Sequence, residues 1–176
     1  MCSSDLAGEI IRRLREFTEK ADSNRTSEDL KALIEEAIGL GIVGTAEADV
    51  KFHIELDANL PAIFVDKIQI QQVLVNLMRN AIEAMQKVQD RTLGIAVTAE
   101  GNQAEIAIRD TGPGLAPEVA ARLFQPFVTT KKSGMGVGLS ICHSIVQSHG
   151  GRIWATVNDG PGVTFHVSLP PAGAEA

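Results

Sequence analysis

Asn76, Asn80 and Glu83 recur at spacings of four and three, which on a helix aligns them as one polar stripe beside the apolar Leu74, Leu77 and Ala81. Asparagine is a mediocre helix former, and two on adjoining turns cost roughly a few tenths of a kcal/mol each. Asp110-Thr111-Gly112-Pro113-Gly114 follows directly on a strand-like run, so a carboxylate stands at a strand end among glycines that let backbone approach a ligand. An ionised carboxylate there can accept from an exocyclic amino group, a bond worth about 1.5 to 3 kcal/mol that favours adenine over guanine. Gly134-Met135-Gly136-Val137-Gly138 opens a helical pattern, where bare N–H groups suit phosphate oxygens. Thr129, Thr130, Lys131 and Lys132 gather hydroxyls and positive charge just before it. Taken singly, each group also has an ordinary reading: a solvated helix edge, a turn, a solvated loop.

Other chemistries find less support. The glycine run lacks the Lys-[Ser/Thr] of a P-loop and does not follow a first strand as a dinucleotide fingerprint must. Cys2 and Cys142 are the only cysteines and show no metal-ligand or disulfide spacing. His53, His143, His149 and His166 are scattered and are read as structural; none is followed by the acidic residue and later proline of a phosphoaccepting motif. Cys142 and His143 are neighbours inside a helical pattern, where adjacent side chains diverge.

The elements that must position these groups are legible from periodicity. Ile10, Leu14 and Phe17 give residues 6–20 the stripe of an amphipathic helix, marginal alone at that length. Thr26 with Asp29 reads as a capping box for a second helix to about Leu40. Val50 to Leu56 alternates as a half-buried strand, Ala62 to Val65 is a short second one, and Asp66 caps a long helix to about Val88. Leu93 to Ala99 and Ala104 to Arg109 form a hairpin. Asp110 to Gly138 is too long and irregular for an ordinary connection, with Phe124-Gln125-Pro126-Phe127 pinning its middle. Leu139 to His149 is helical, Arg152 to Val157 and Val163 to Leu169 form a second hairpin, and Pro170 onward is a tail. Trp154 reads as a sheet residue packing on a helix. Helices on one face of a mixed sheet follow from that order.

Composition sets the bounds. The 176 residues, 44% hydrophobic and 22% charged, make one globular domain with a short appendage. A net charge of −6 argues against a nucleic-acid coat and a membrane surface. The longest apolar stretch is glycine-broken and far short of a bilayer span, and no signal peptide is visible. A cytoplasmic setting is expected.

In order, Asn76-Leu77-Met78-Arg79-Asn80-Ala81, Asp110 to Gly114, Phe124 to Phe127, Gly134 to Gly138 and Gly162-Val163-Thr164-Phe165 resemble the N, G1, F, G2 and GT boxes of the histidine kinase ATP-binding domain. Gyrase, Hsp90 and MutL share that superfamily. The resemblance covers about residues 25–170, and Gly8 to Phe17 resembles the end of the second dimerisation helix in sensor kinases akin to the oxygen-sensing nitrogen-fixation regulators. It implies an α/β fold, specifically an α+β two-layer sandwich of the Bergerat type, a mixed sheet with helices on one face and a flexible ATP lid.

The implied cofactors are ATP and Mg²⁺. The resemblance places Asn76, Asn80, Asp110, Gly112, Gly114, Phe127, Thr129, Lys131, Lys132, Gly134, Gly136, Gly138, Leu139 and Thr164 around the nucleotide, with Asn80 on the metal and Asn76 supporting it. Magnesium keeps several waters and takes few protein ligands beside phosphate oxygens. In hydrolytic members a glutamate four residues before the metal-binding asparagine activates water; Asn76 stands there, which favours a kinase. Glu83 occupies a place where a number of histidine kinases carry a basic residue, so a metal-side or structural role is expected for it.

Residues 1–21 are then a remnant of the second dimerisation helix, 22–170 the catalytic domain and 171–176 a tail. Met1 to Leu6 fit the family pattern poorly, and Cys2-Ser3-Ser4-Asp5-Leu6 match the translation of a sequencing-adapter string, so the first residues are expected to be non-native. With no catalytic residue assigned and the acceptor histidine expected on a dimerisation domain outside this chain, it should bind ATP without an internal target. The implied partners are that domain and a downstream response regulator; nucleic acid and direct membrane contact are not expected, while anchoring of the full-length protein stays open. Two alternatives remain: a stand-alone serine kinase of the anti-sigma-factor type, and a non-catalytic ATP-dependent interaction module.

Overall fold

The structure, a computed structural model, describes residues 24–43, 49–100, 103–120, 122–126 and 137–173. The expected helix over residues 6–20 lies outside them. The first element is a strand, β1 (Thr26–Asp29), followed by α1 (Leu30–Ile42). The capping box expected from Thr26 is therefore corrected: Thr26 to Asp29 pair antiparallel with β3 (Ala62–Val65), Thr26 opposite Val65 and Asp29 opposite Ala62. Thr26 Oγ1 donates to Glu28 Oε1 at 2.6 Å, and Asp29 becomes the cap itself by accepting the Ala32 N–H at 2.9 Å. A strand partner distant in sequence wins over local capping preference.

The main sheet runs β2 (Lys51–Leu56), β4 (Thr92–Glu100), β5 (Gln103–Arg109), β7 (Val163–Leu169), β6 (Arg152–Val157), with β2 and β4 parallel and every other pair antiparallel. Alternation puts Leu93, Ile95, Ile106, Ile108, Phe165 and Val167 on the buried face. There they meet α1, α2 (Lys67–Ala84) and α4 (Gly138–Ser148); a short α3 (Pro117–Ala120) lies in the long connection.

Asp66 caps α2 as its position suggests, accepting the Gln69 N–H at 3.1 Å. The helix stops at Ala84 rather than near Val88. Past it the N–H groups switch to partners three residues back, Gln86 to Glu83 O at 3.3 Å and Val88 to Met85 O at 3.1 Å, and the Arg91 guanidinium braces that turn through the carbonyls of Gln86 at 2.9 Å and Val88 at 3.0 Å. At the other end of the helix layer, His149 is buried at the α4 terminus. Its Nδ1–H donates to Ile145 O at 2.7 Å, and its Nε2 accepts the Asp66 N–H at 3.1 Å. Both nitrogens are thereby used in the neutral ring.

The opposite face of the sheet carries no described helix. Trp154 lies there, stacked on the His166 ring at 4.9 Å and 3°, with Arg152 above it at 5.1 Å, so the expected packing of Trp154 on a helix is corrected. Odd-numbered Ile153 points to the core and its neighbour must point away. His166 also meets Glu105 at 2.8 Å and the Thr156 hydroxyl at 2.9 Å. The expected tail is in part docked: Pro171 bridges Ile63, and Ala172 N–H donates to Ala62 O at 2.8 Å. No described helix is long and apolar enough to cross a membrane.

Candidate nucleotide site

The site lies along one edge of α2, where Asn76, Asn80 and Ala84 succeed one another at single-turn spacing over about 12 Å. At the first position, Asn76 Nδ2 donates to Gly138 O at 3.2 Å and to Cys142 Sγ at 3.3 Å, tying α2 to the opening of α4. At the second, Asn80 Nδ2 donates to Asn76 Oδ1 at 3.2 Å. The third, Ala84, lies against the Asp110 loop, since a Cβ placed on Gly112 would stand 3.2 Å from the Ala84 Cβ and 2.9 Å from Asp110 Oδ1. The stripe thus joins the Asp110 loop to the start of the glycine-opened helix. Glu83 is exposed.

Asp110 is 3% exposed, which for a carboxylate demands partners. Its Oδ1 accepts the N–H of Gly112 at 2.8 Å and of Val163 at 3.4 Å; no described residue donates to Oδ2. Burial raises the carboxyl above the ordinary aspartate range, against the lowering effect of those two N–H groups. Main-chain bonds fix the residue further, with Asp110 N–H donating to Val163 O at 3.0 Å. Gly162, at φ 92°, crosses this point so closely that a Cβ there would overlap the Asp110 carbonyl and stand 2.8 Å from Oδ1. Only glycine meets both requirements. Gly114, at φ 81°, turns the loop away beside it.

Thr111 secures the loop from behind. Its hydroxyl donates to Asp90 O at 2.7 Å and accepts the Thr92 N–H at 2.9 Å. Cys142, buried beneath Asn76, has its thiol pushed up to about 12 by burial and is held as a neutral thiol. Phe124 stacks on His143 of α4 at 5.8 Å, so the aromatic anchor of the long connection is real at that position.

Of the sequence-derived residues, Asn76, Asn80, Asp110, Gly112, Gly114 and Gly138 come together along this edge, and Leu139 packs half-buried at the α4 start. Phe127, Thr129, Lys131, Lys132, Gly134 and Gly136 lie outside the described residues. Thr164 reaches Asp110 indirectly. Its hydroxyl donates to Asn158 Oδ1 at 2.7 Å, and Asn158 Nδ2 donates to Asp110 O at 3.3 Å; the direct neighbour of the Asp110 carboxylate on this strand is the Val163 N–H. Sequence reasoning missed Asn158, although an asparagine opening a Gly-Pro-Gly turn often bonds nearby backbone.

Residues 65–173 match the family model described as histidine kinase-, DNA gyrase B-, and HSP90-like ATPase. The chain is 48% identical over 167 residues to the sensor protein FixL of Bradyrhizobium diazoefficiens, an alignment covering 94% of this chain and 33% of FixL. It therefore spans about a third of the length of that relative. The solved catalytic domain of histidine kinase ThkA is 33% identical, with a TM-score of 0.74, over 83% of this chain and 95% of that one. ThkA in complex with the response regulator TrrA gives a TM-score of 0.75 at 27% identity, covering 98% of this chain and 50% of that one. Full-length ShkA in complex with AMPPNP gives 0.75 at 27% identity, covering 87% of this chain and 32% of that one.

Proposed function

Since the chain belongs to the histidine kinase-, DNA gyrase B- and HSP90-like ATPases, in the branch of sensor histidine kinase catalytic domains, we propose that it holds Mg²⁺ and ATP along the α2 edge and presents the γ-phosphoryl group to a histidine of a separate dimerisation domain. The observation that carries this reading is the Asp110 carboxylate, buried with Oδ1 saturated by backbone N–H groups and Oδ2 left without a described donor. Oδ2 is not sealed off from solvent, so an incoming N–H can reach it, and the exocyclic amine of adenine supplies one for a charge-assisted bond.

The donor set suits magnesium held jointly with phosphate. Among the described residues no three His, Cys, Asp or Glu side chains gather to bind a metal. An amide oxygen on Asn80, with phosphate oxygens and water completing the shell, is an arrangement magnesium accepts. Asn76 orients Asn80 through their shared hydrogen bond. When bound, the ion neutralises phosphate charge; the chain's own task is to fix the adenine end, align the asparagines and offer the α4 start to the phosphates, with Lys131 or Lys132 adding charge. Asn76, with its Nδ2 donating to Gly138 O and Cys142 Sγ, supplies no general base for activating water or a serine hydroxyl, which favours transfer to a histidine over the serine-kinase alternative. The ShkA–AMPPNP and ThkA–TrrA complexes support nucleotide binding and a response regulator as downstream partner. A cytoplasmic setting accords with the ATP requirement.

Calorimetry with ATP and Mg²⁺, followed by incubation with labelled ATP and a dimerisation domain bearing the acceptor histidine, tests the proposal. Binding and an acid-labile label on that histidine are expected. ATP binding without transfer would leave an interaction module, label on a partner serine would give the anti-sigma-factor type, and absence of binding by folded protein would overturn the nucleotide site itself.

A further inference from the structure

Every polar atom of Asp110 except Oδ2 is committed, and all but one of those commitments go to backbone groups: its N–H to Val163 O, its Oδ1 to the Gly112 and Val163 N–H groups. The exception is its carbonyl oxygen, which accepts the Asn158 side chain at 3.3 Å. Asn158 is fully engaged in turn. Its N–H donates to Gly162 O at 3.3 Å, its Nδ2 also donates to Pro161 O at 3.0 Å, and its Oδ1 accepts the Thr164 hydroxyl at 2.7 Å. One half-buried residue therefore closes the β6–β7 turn, holds Gly162 over the Asp110 peptide through its main-chain N–H, and clamps that peptide from the far side through its side-chain amide.

We propose that Asn158 is a specificity-determining positioning residue: it sets the rotation of the Asp110 peptide and so aims Oδ2 at the exocyclic amine of the purine. The proposal rests on the nucleotide reading above. The geometry separates this role from simple turn formation. A turn former needs only the Pro161 and Gly162 bonds inside residues 158–162, whereas the bonds to Asp110 and Thr164 reach outside the turn. The carbonyl it holds belongs to the residue whose carboxylate chooses between purines, and a small rotation there displaces Oδ2 while leaving the phosphate end untouched. Thr164 enters as the group that fixes the amide's orientation, with oxygen toward the hydroxyl and nitrogen toward Asp110.

The test is nucleobase discrimination. Calorimetric affinities for ATP, GTP and adenosine are compared in the wild-type chain and in N158A and T164V, with melting temperatures recorded alongside. Loss of one such bond corresponds to an affinity loss of about three- to tenfold. N158A is expected to weaken ATP and adenosine by that factor with GTP little changed, so that the ATP:GTP preference shrinks. T164V, which keeps a β-branched strand residue and removes only the hydroxyl, should shift the preference in the same direction by a smaller factor. A lower melting temperature with an unchanged ATP:GTP ratio would reduce Asn158 to a turn former and overturn the proposal. If N158A does not fold, T164V carries the same decision. A folded wild-type chain that binds no ATP is a different failure, that of the nucleotide site.

Discussion

Asn80 donates its side-chain amide to Asn76 Oδ1 across 3.2 Å, one helical turn apart, and that bond divides the labour between the two residues. Asn76 is committed to the α4 opening through Gly138 and Cys142. Asn80, with its nitrogen turned toward Asn76, has its oxygen turned elsewhere.

Removal of the two amides should therefore have separable effects. Asn80→Ala is expected to abolish the gain in ATP affinity that Mg²⁺ confers, with a smaller loss of stability than Asn76→Ala causes. Asn76→Ala strips Gly138 O of a donor and should cost about 1 to 3 kcal/mol of stability. Titrations with and without Mg²⁺, paired with melting curves, distinguish them; equal effects of both variants on both quantities would refute the division.

Asp110 should make nucleoside binding sensitive to acid. Burial raises its carboxyl above the ordinary aspartate range. The acceptor role needs the ionised form, so adenosine affinity should fall as pH drops through that raised value, at a higher pH than an exposed aspartate would give. The folding contribution has the opposite sign. A folded-state pKa above the unfolded one means the native state binds the extra proton, so this group favours folding on the acid side and loses that contribution as pH rises through the raised value. Asp110→Asn should remove the acid-dependent loss and weaken adenosine throughout. Adenosine is the chosen probe because it has no phosphate to titrate. A pH-independent affinity in the wild-type chain between pH 4 and 7 would count against the acceptor role.

Two glycines in one turn should answer differently to a methyl group. Gly162→Ala puts a Cβ into the Asp110 carbonyl at a positive φ, and is expected to destabilise the fold by about 2 kcal/mol or more and to eliminate ATP binding. Gly160 has open space around it and no positive φ, so Gly160→Ala should be close to neutral. Denaturant unfolding of both decides the point.

Cys142 should be inert in the native protein. With its thiol near 12 and its sulfur beneath Asn76, little thiolate forms at pH 8. In a Cys2→Ser background, a colourimetric thiol reagent should react only after denaturant is added. Rapid labelling under native conditions would show that the α2–α4 contact opens freely.

Much of this was legible in sequence because it rests on local rules. The Asp66 cap, the Ala62 to Val65 strand and the β6–β7 hairpin follow from capping and period-two alternation. What escaped depends on distant partners. Thr26 to Asp29 looks like a helix start until β3 is available to pair with it. Trp154 is a sheet residue as read, but which face it takes depends on the strand's register, and register places it beside His166. At the site, the spacing of Asn76, Asn80 and Asp110 was informative because chemistry restricts those types. Asn158 was hidden because its role lies in a bond across 48 residues that no local pattern announces.

Helix α4 is fastened to α2 at both of its own ends, by Asn76 from the middle of α2 on Gly138 and by His149 on the Asp66 N–H at the α2 start. Two struts pinned at two points cannot slide or pivot relative to one another without breaking a pin. The pair should consequently resist amide exchange as one cooperative unit, and whatever motion accompanies nucleotide exchange must be accommodated outside this rigid bracket.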